Sequence, residues 1–425
     1  MDAIERLLSS VTLPKMARIR QTFDDTMLDD VPDAVAQALA ACPAFERIKP
    51  GARLAVTVGS RGIASLPAIV RAIVDALKSR GANPFIVPAM GSHGGATAEG
   101  QLTLVNDLGV TEESAGCPIL SSMEVVKVGE LEDGFPVYMD KYAYESDGVV
   151  VFNRIKPHNA FRARHESGLL KMLAIGLGKH YGAESTHTLG FGHMGSLIEE
   201  MSRKLLATNK IMLGVATIEN AYDQTQEIVA CGPEDMVQTD GEGLQRAFKN
   251  MPRLLFDKLD LLICDEIGKE FSGGGMDGNI IGRYSTPFIT GGPDITRIVA
   301  LRLSAKSHGN ANGMGLADVI PESFLKDVDL FQVYTNSITS GATPSARTPM
   351  HLATEALAIK AGLKTGYAAD TSQALVMRIP NTLHLGECFI SEALLPLAVQ
   401  TPGVTVLGEA RPMAFDATGR LVDAY

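Results

Sequence analysis

Compact runs of consecutive apolar residues recur along the chain, each closed by a glycine-bearing turn and followed by apolar positions at helical period. Residues 53–58 (RLAVTV) predict a buried strand, residues 59–62 a tight turn, and residues 66–80 an amphipathic helix. Residues 84–88 (PFIVP) predict a second strand, and a glycine-rich turn opens a second helix near Thr97. This order of strand, turn and helix argues for a parallel sheet. Core strands are expected again at 147–152 (DGVVVF) and 210–215 (KIMLGV), with helices at 195–207 and 242–250. The first fifty residues read as an acidic, helix-rich lead-in. Near residue 256 the pattern restarts, with strands expected at 259–264, 298–303, 330–334 and 375–378 and helices at 349–361 and 391–399. The fold class expected is α/β, as two α/β domains with mainly parallel sheets, residues 1–255 and 256–425. The active-site cleft is expected between them, where strand ends converge.

Charge and cysteine content narrow the function classes. Acidic residues outnumber basic ones by 49 to 38, giving a net charge of −11, which argues against nucleic acid as a partner. No apolar run approaches the ~20 residues of a membrane span. The most apolar stretch, residues 168–178, carries Lys171 in its middle. The amino terminus shows no secretory pattern. The five cysteines are scattered, without a CxxC pair, so a reduced, cytoplasmic setting is expected.

The candidate chemistry concentrates in one stretch. His158, His165, His180, His187 and His193 fall within thirty-six residues. Histidine moves protons near neutral pH and ligates metals. Lys171, inside GLLKMLAIGLG, either snorkels its ammonium to the surface or is desolvated into a nucleophile. His93 lies in the turn GSHGGAT, where it would either project from a strand end or cap the next helix. Arg61, beside Ser60 in the first turn, could grip a phosphate or carboxylate, or face solvent. In the second half, Lys269, Arg283, Tyr284 and Asn312 lie in glycine-rich loops that serve either ligand binding or ordinary turns.

The succession of Arg61, His93, His158, Lys171 and His187 resembles the lactate racemase family. The likeness extends over most of the chain and is strongest from about 53 to 190. The resemblance implies a nickel-pincer nucleotide (a pyridinium-3-thioamide-5-thiocarboxylic acid mononucleotide with nickel) attached covalently at Lys171. His187, sixteen residues on, would be the metal ligand. Ser60 and Arg61 would hold the nucleotide, and His93 and His158 would be the catalytic acid/base pair. The activity implied is racemisation or epimerisation of a small hydroxy acid, an isomerase reaction by proton-coupled hydride transfer. Arg283, Tyr284, Lys269 and Asn312 would bind the substrate. Separate cofactor-biosynthesis proteins would be partners, and self-association into a homo-oligomer is left open. The chain departs from the family in keeping only the arginine of the usual Thr-Arg-Pro turn. It also has a longer span from His158 to Lys171, containing Arg162, Arg164 and His165. These departures point to a substrate larger or more polar than lactate, such as a sugar acid. Two other readings stay open: a zinc- or iron-dependent lyase or hydrolase using His158, His165 and His187, and a non-catalytic protein that binds a small anion.

Overall fold

A computed structural model describes residues 3–188 and 190–422, the side chains of His187 and Thr188 excepted. The chain divides into two compact units, one formed by Asp24–Met251 and the other by Met1–Phe23 together with Pro252–Tyr425. The change near residue 251 lies close to the expected boundary. The first 23 residues, however, belong with the second half rather than the first.

The Asp24–Met251 unit is built on a five-stranded sheet. Its strand order is Asn83–Pro88, Arg53–Val58, Gly148–Arg154, Ile211–Glu219 and Thr225–Cys231. The first four strands are parallel and the last is antiparallel to its neighbour. A run such as VVVF forms a strand here because both faces are covered. Val149 and Val151 enter one apolar core, while Val150 and Phe152 enter the other. The helix Leu66–Ser79 packs Ile69, Val70, Ile73, Val74 and Leu77 inward, at the spacing the sequence shows. A separate hairpin joins Val125–Glu130 to Pro136–Asp140.

The other unit carries an eight-stranded mixed sheet. Lys258–Ile267 pairs in parallel with both Asp294–Leu303 and Val376–Ile379. The expected lead-in contains a strand, Met16–Gln21, which pairs antiparallel with Glu387–Ser391 and with Val404–Val406. Ala17 and Ile19 are buried, while Arg18 and Arg20 turn outward to share Glu387. The strand expected at 330–334 is instead the first part of a helix, Leu330–Ser340. Asp329 caps its start by accepting from the amides of Phe331 and Gln332, and Gly341 ends it at a φ of 68°. The helix expected at 349–361 begins later, as Glu355–Thr365, after a short strand Met350–Leu352. The helix expected at 391–399 is a 3-10 turn, Glu392–Leu394, that runs into a short α-helix, Leu395–Ala398.

A buried ion pair sits on two of the central strands. Arg378 donates two parallel hydrogen bonds to Asp265, at 2.8 and 2.7 Å, with both side chains nearly inaccessible to water. Replacing Arg378 with Met would leave a buried carboxylate without its partner. A loss of about 3–5 kcal/mol is expected, read as a lower unfolding midpoint in denaturant. An unchanged midpoint would show that Asp265 finds other compensation.

Candidate active site

Four adjacent parallel strands end on one edge of the five-stranded sheet, the place where open α/β sheets bind ligands. Ser60 and Arg61 follow Arg53–Val58, His93 follows Asn83–Pro88, and Lys156 and His158 follow Gly148–Arg154. The Ser60 hydroxyl meets Nδ1 of His93, so the first two turns are joined. Glu219, at the end of Ile211–Glu219, pairs with Arg154 and accepts the Ala64 amide at 2.7 Å. The loops of His93 and His158 belong to strands separated by one intervening strand, or ~10 Å at the level of the sheet.

The segment from Lys156 to Ser167 forms a closed loop, with the Lys156 amide donating to the Ser167 carbonyl at 2.8 Å. Glu166 is buried within it. Its carboxylate accepts from the amides of His158 at 2.7 Å and Ala163 at 3.1 Å, and from Arg162 at 3.1 Å. Burial pushes this carboxyl up from the usual range, and those three donors oppose the rise. Glu166 therefore fixes the backbone of His158, whose ring lies 4.6 Å from that of Phe161. The Ala160 amide donates to His158 Nδ1 at 3.1 Å. A neutral ring in this arrangement carries its proton on Nε2.

Lys171 closes a short helical turn, Leu169–Lys171, anchored at several points. Asp240 accepts from the Leu169 amide at 2.6 Å, and Asn153 donates to the Gly168 carbonyl at 2.8 Å. A Cβ on residue 168 would fall 2.1 Å from that Asp240 oxygen, so glycine is required for the cap. His165 is buried, with Nδ1 3.0 Å from the other oxygen of Asp240 and Nε2 3.7 Å from Glu199. The chain then widens into a π-helix over Met172–Gly176, with the Leu177 amide reaching the Met172 carbonyl at 2.9 Å. Such widened turns recur at functional sites. Lys171 is half-buried, and desolvation lowers its ammonium to about 8. Arg61 and Lys156 push in the same direction, and Glu166 opposes them weakly. Arg61 presents surface to solvent, yet the protein crowded around it and the nearby Arg154 both lower its pKa.

The site residues read from the sequence are thus distributed unevenly. Ser60, Arg61, His93, His158 and Lys171 share one unit and one sheet edge or its following helix. His187 falls in the helix Lys179–Thr188, and its side chain lies outside the described residues. His165 is engaged with Asp240 rather than turned to the sheet edge. Among the described residues, no three His, Cys, Asp or Glu side chains are grouped as a metal would require.

The four residues from the second half do not come together. Lys269 follows the end of Lys258–Ile267 and donates to Asn336 at 2.8 Å. Asn312 accepts from Ser345 at 2.9 Å. Arg283 lies at the opposite end of that sheet. There it pairs with Asp318 at 2.6 Å and donates to the carbonyls of Ile295 and Thr296, in the first residues of Asp294–Leu303. Tyr284 donates to the Gly291 carbonyl at 3.1 Å in the same turn. Arg283 and Tyr284 hold the start of that strand, at the end of the sheet opposite Lys269.

Residues 15–195 match the family model of the lactate racemase N-terminal domain. The match spans less than half of the chain, and over it the chain is similar to lactate racemases. Among solved structures, the lactate racemase apoprotein from Thermoanaerobacterium thermosaccharolyticum superposes with a TM-score of 0.54 at 11% identity. The match covers 86% of this chain and 99% of that one. At this identity the likeness establishes the shared α/β fold. No curated protein matches. No helix among the described residues is long and apolar enough to cross a membrane.

Proposed function

We propose that the chain is a nickel-pincer nucleotide-dependent racemase or epimerase. It would invert a hydroxyl-bearing carbon of a 2-hydroxy acid more polar than lactate, such as a sugar acid. The observation that carries the reading is the gathering of two loop histidines, a lysine of lowered pKa and several cations near the edge where four parallel strands of one sheet end. The chain's residues fit such a nucleotide. Lys171, partly neutral near pH 8, can form an acyl bond through Nζ. Arg61 and Lys156 supply positive charge beside it for an anionic group. His187 is the nickel ligand that the resemblance to lactate racemases implies.

When bound, the nucleotide would supply a hydride acceptor. The chain's own residues handle protons and orientation. In the tautomer in which Nδ1 of His93 donates to Ser60, Nε2 keeps a lone pair for the substrate's hydroxyl proton. His158 offers Nε2–H to a substrate oxygen, held in place by Glu166 and Ala160. Two histidines on separate loops suit inversion, because the two enantiomers present their hydroxyls in different directions. The test is to load the chain in cells that build the nucleotide and to offer enantiopure hydroxy acids in deuterated water. Inversion is expected with the original hydrogen kept on the carbon, because hydride transfer does not exchange it with solvent. Deuterium at that carbon, or no inversion of any acid by nickel-loaded protein, would overturn the proposal.

A further inference from the structure

Eight residues beyond Lys171, a second lysine is buried completely. Lys179 is 0% exposed, opens the helix Lys179–Thr188 three residues beyond the widened segment, and has a left-handed φ of 53°. A lysine rarely adopts that backbone conformation, and burying its ammonium requires strong compensation. The compensation comes from three directions. The ammonium donates to the Pro88 carbonyl, which ends the strand leading to His93. It donates to Gln101 Oε1 at 3.1 Å and pairs with Asp140 Oδ2 at 3.1 Å. Asp140 is also fully buried, and its own amide donates to the Leu177 carbonyl at 2.7 Å, closing the link to the widened segment.

Gln101 carries the contact onward. Its side-chain amide donates to the Gly91 carbonyl at 2.9 Å and to the His93 carbonyl at 3.2 Å. Gln101 is buried, and the turn it holds contains four residues with positive φ before Thr97: Gly91, Gly94, Gly95 and Ala96. A Cβ at Gly94 would fall 2.6 Å from the backbone of Gly100 and Gln101, so the turn is pressed directly against this helix. Gln101 contacts both the ammonium, at 3.1 Å, and the main chain of His93, at 3.2 Å.

We propose that Lys179 and Gln101 are positioning residues that set the His93 turn relative to the segment carrying Lys171. The inference rests on the reading of His93 as a proton-transfer residue. In it, the buried Asp140–Lys179 pair supplies a fixed post, and Gln101 translates that post into the placement of the His93 backbone. A misplacement of about 1 Å at a reacting group can cost ~10²-fold in rate.

The test uses full-length protein with isotopically labelled histidine, with Gln101 replaced by Met. Methionine fills similar volume and suits a helix, but it cannot donate to the two carbonyls. Expected are a shifted or broadened His93 imidazole signal with a moved titration midpoint, an unmoved His158 signal, and a melting temperature within a few degrees of the parent. In nucleotide-loaded protein, kcat for hydroxy-acid inversion should fall ~10–10²-fold with KM little changed. If Gln101→Met unfolds the protein, Gln101→Glu keeps an acceptor for Lys179, lacks the donor, and is read the same way. An unmoved His93 signal in the folded variant overturns the proposal. The spectra need no nucleotide, so a parent protein that inverts no hydroxy acid would remove the functional reading without touching the coupling.

Discussion

Replacing His93 or His158 singly with Asn should lower inversion of the hydroxy acid by about 10²–10⁴-fold in either direction, the contribution typical of a positioned acid or base. The double variant should fall little below the weaker single one, because both histidines serve one reaction and their losses do not add. Asparagine keeps polarity and approximate size at each site. His93 is exposed, so its replacement should leave the unfolding midpoint nearly unchanged. His158 is partly buried against Phe161, so a modest destabilisation is expected there without loss of fold. Racemisation rates measured from each enantiomer check the assignment. A single variant that retains more than a tenth of parental activity would remove that histidine from the proton-transfer pair. Ser60→Ala offers a milder check on His93, because it removes the hydroxyl at Nδ1 while keeping the imidazole.

The strands at the site were legible because burial on both faces makes them continuous apolar runs, as in residues 53–58 and 147–152. The residues at their ends were legible too: Arg61, His93 and His158 each follow such a run within a few positions. Their supports were not. Arg154 finds Glu219 65 residues away, His165 finds Asp240 75 residues away, and Lys179 reaches back 78 residues to Gln101. No local pattern encodes such pairs. The lysine in GLGKH was visible in the sequence, but only the fold shows that Pro88, Gln101 and Asp140 meet it. The strand Met16–Gln21 stayed hidden because its outward positions are arginines, balanced by a glutamate hundreds of residues later. The placement of Arg283 was hidden for a related reason. A glycine-rich loop can precede a strand as well as follow one, and here the loop delivers its guanidinium to the strand's beginning.

Lys171→Ala should abolish both the covalent nucleotide and inversion, with activity lower by at least ~10³-fold, because attachment is what would hold the reacting ring in register with the histidines. Intact mass reads the first effect and racemisation the second. Lys171→Arg should fail as completely, since a guanidinium keeps the charge but cannot be acylated under these conditions. The amine's environment adds a signature that is independent of turnover. Only the neutral amine attacks, and desolvation together with Arg61 and Lys156 lowers the Lys171 ammonium to about 8. In protein without nucleotide, acylation of Lys171 by a small amine-directed reagent should therefore rise through a midpoint near pH 8, where an ordinary lysine rises near 10.4. Below that midpoint the ammonium dominates and the rate falls with pH. Arg61→Gln removes one of the charges that disfavour the ammonium, so the midpoint should move upward toward the ordinary lysine value. A midpoint already at the ordinary value in the parent would mean that water reaches the ammonium. A mass increment persisting in Lys171→Ala would put the attachment on another residue. The joint expectation is stricter than either alone. The lysine that loses the adduct when truncated must also be the one whose reactivity is displaced toward neutrality, and the displacement must shrink when Arg61 is neutralised.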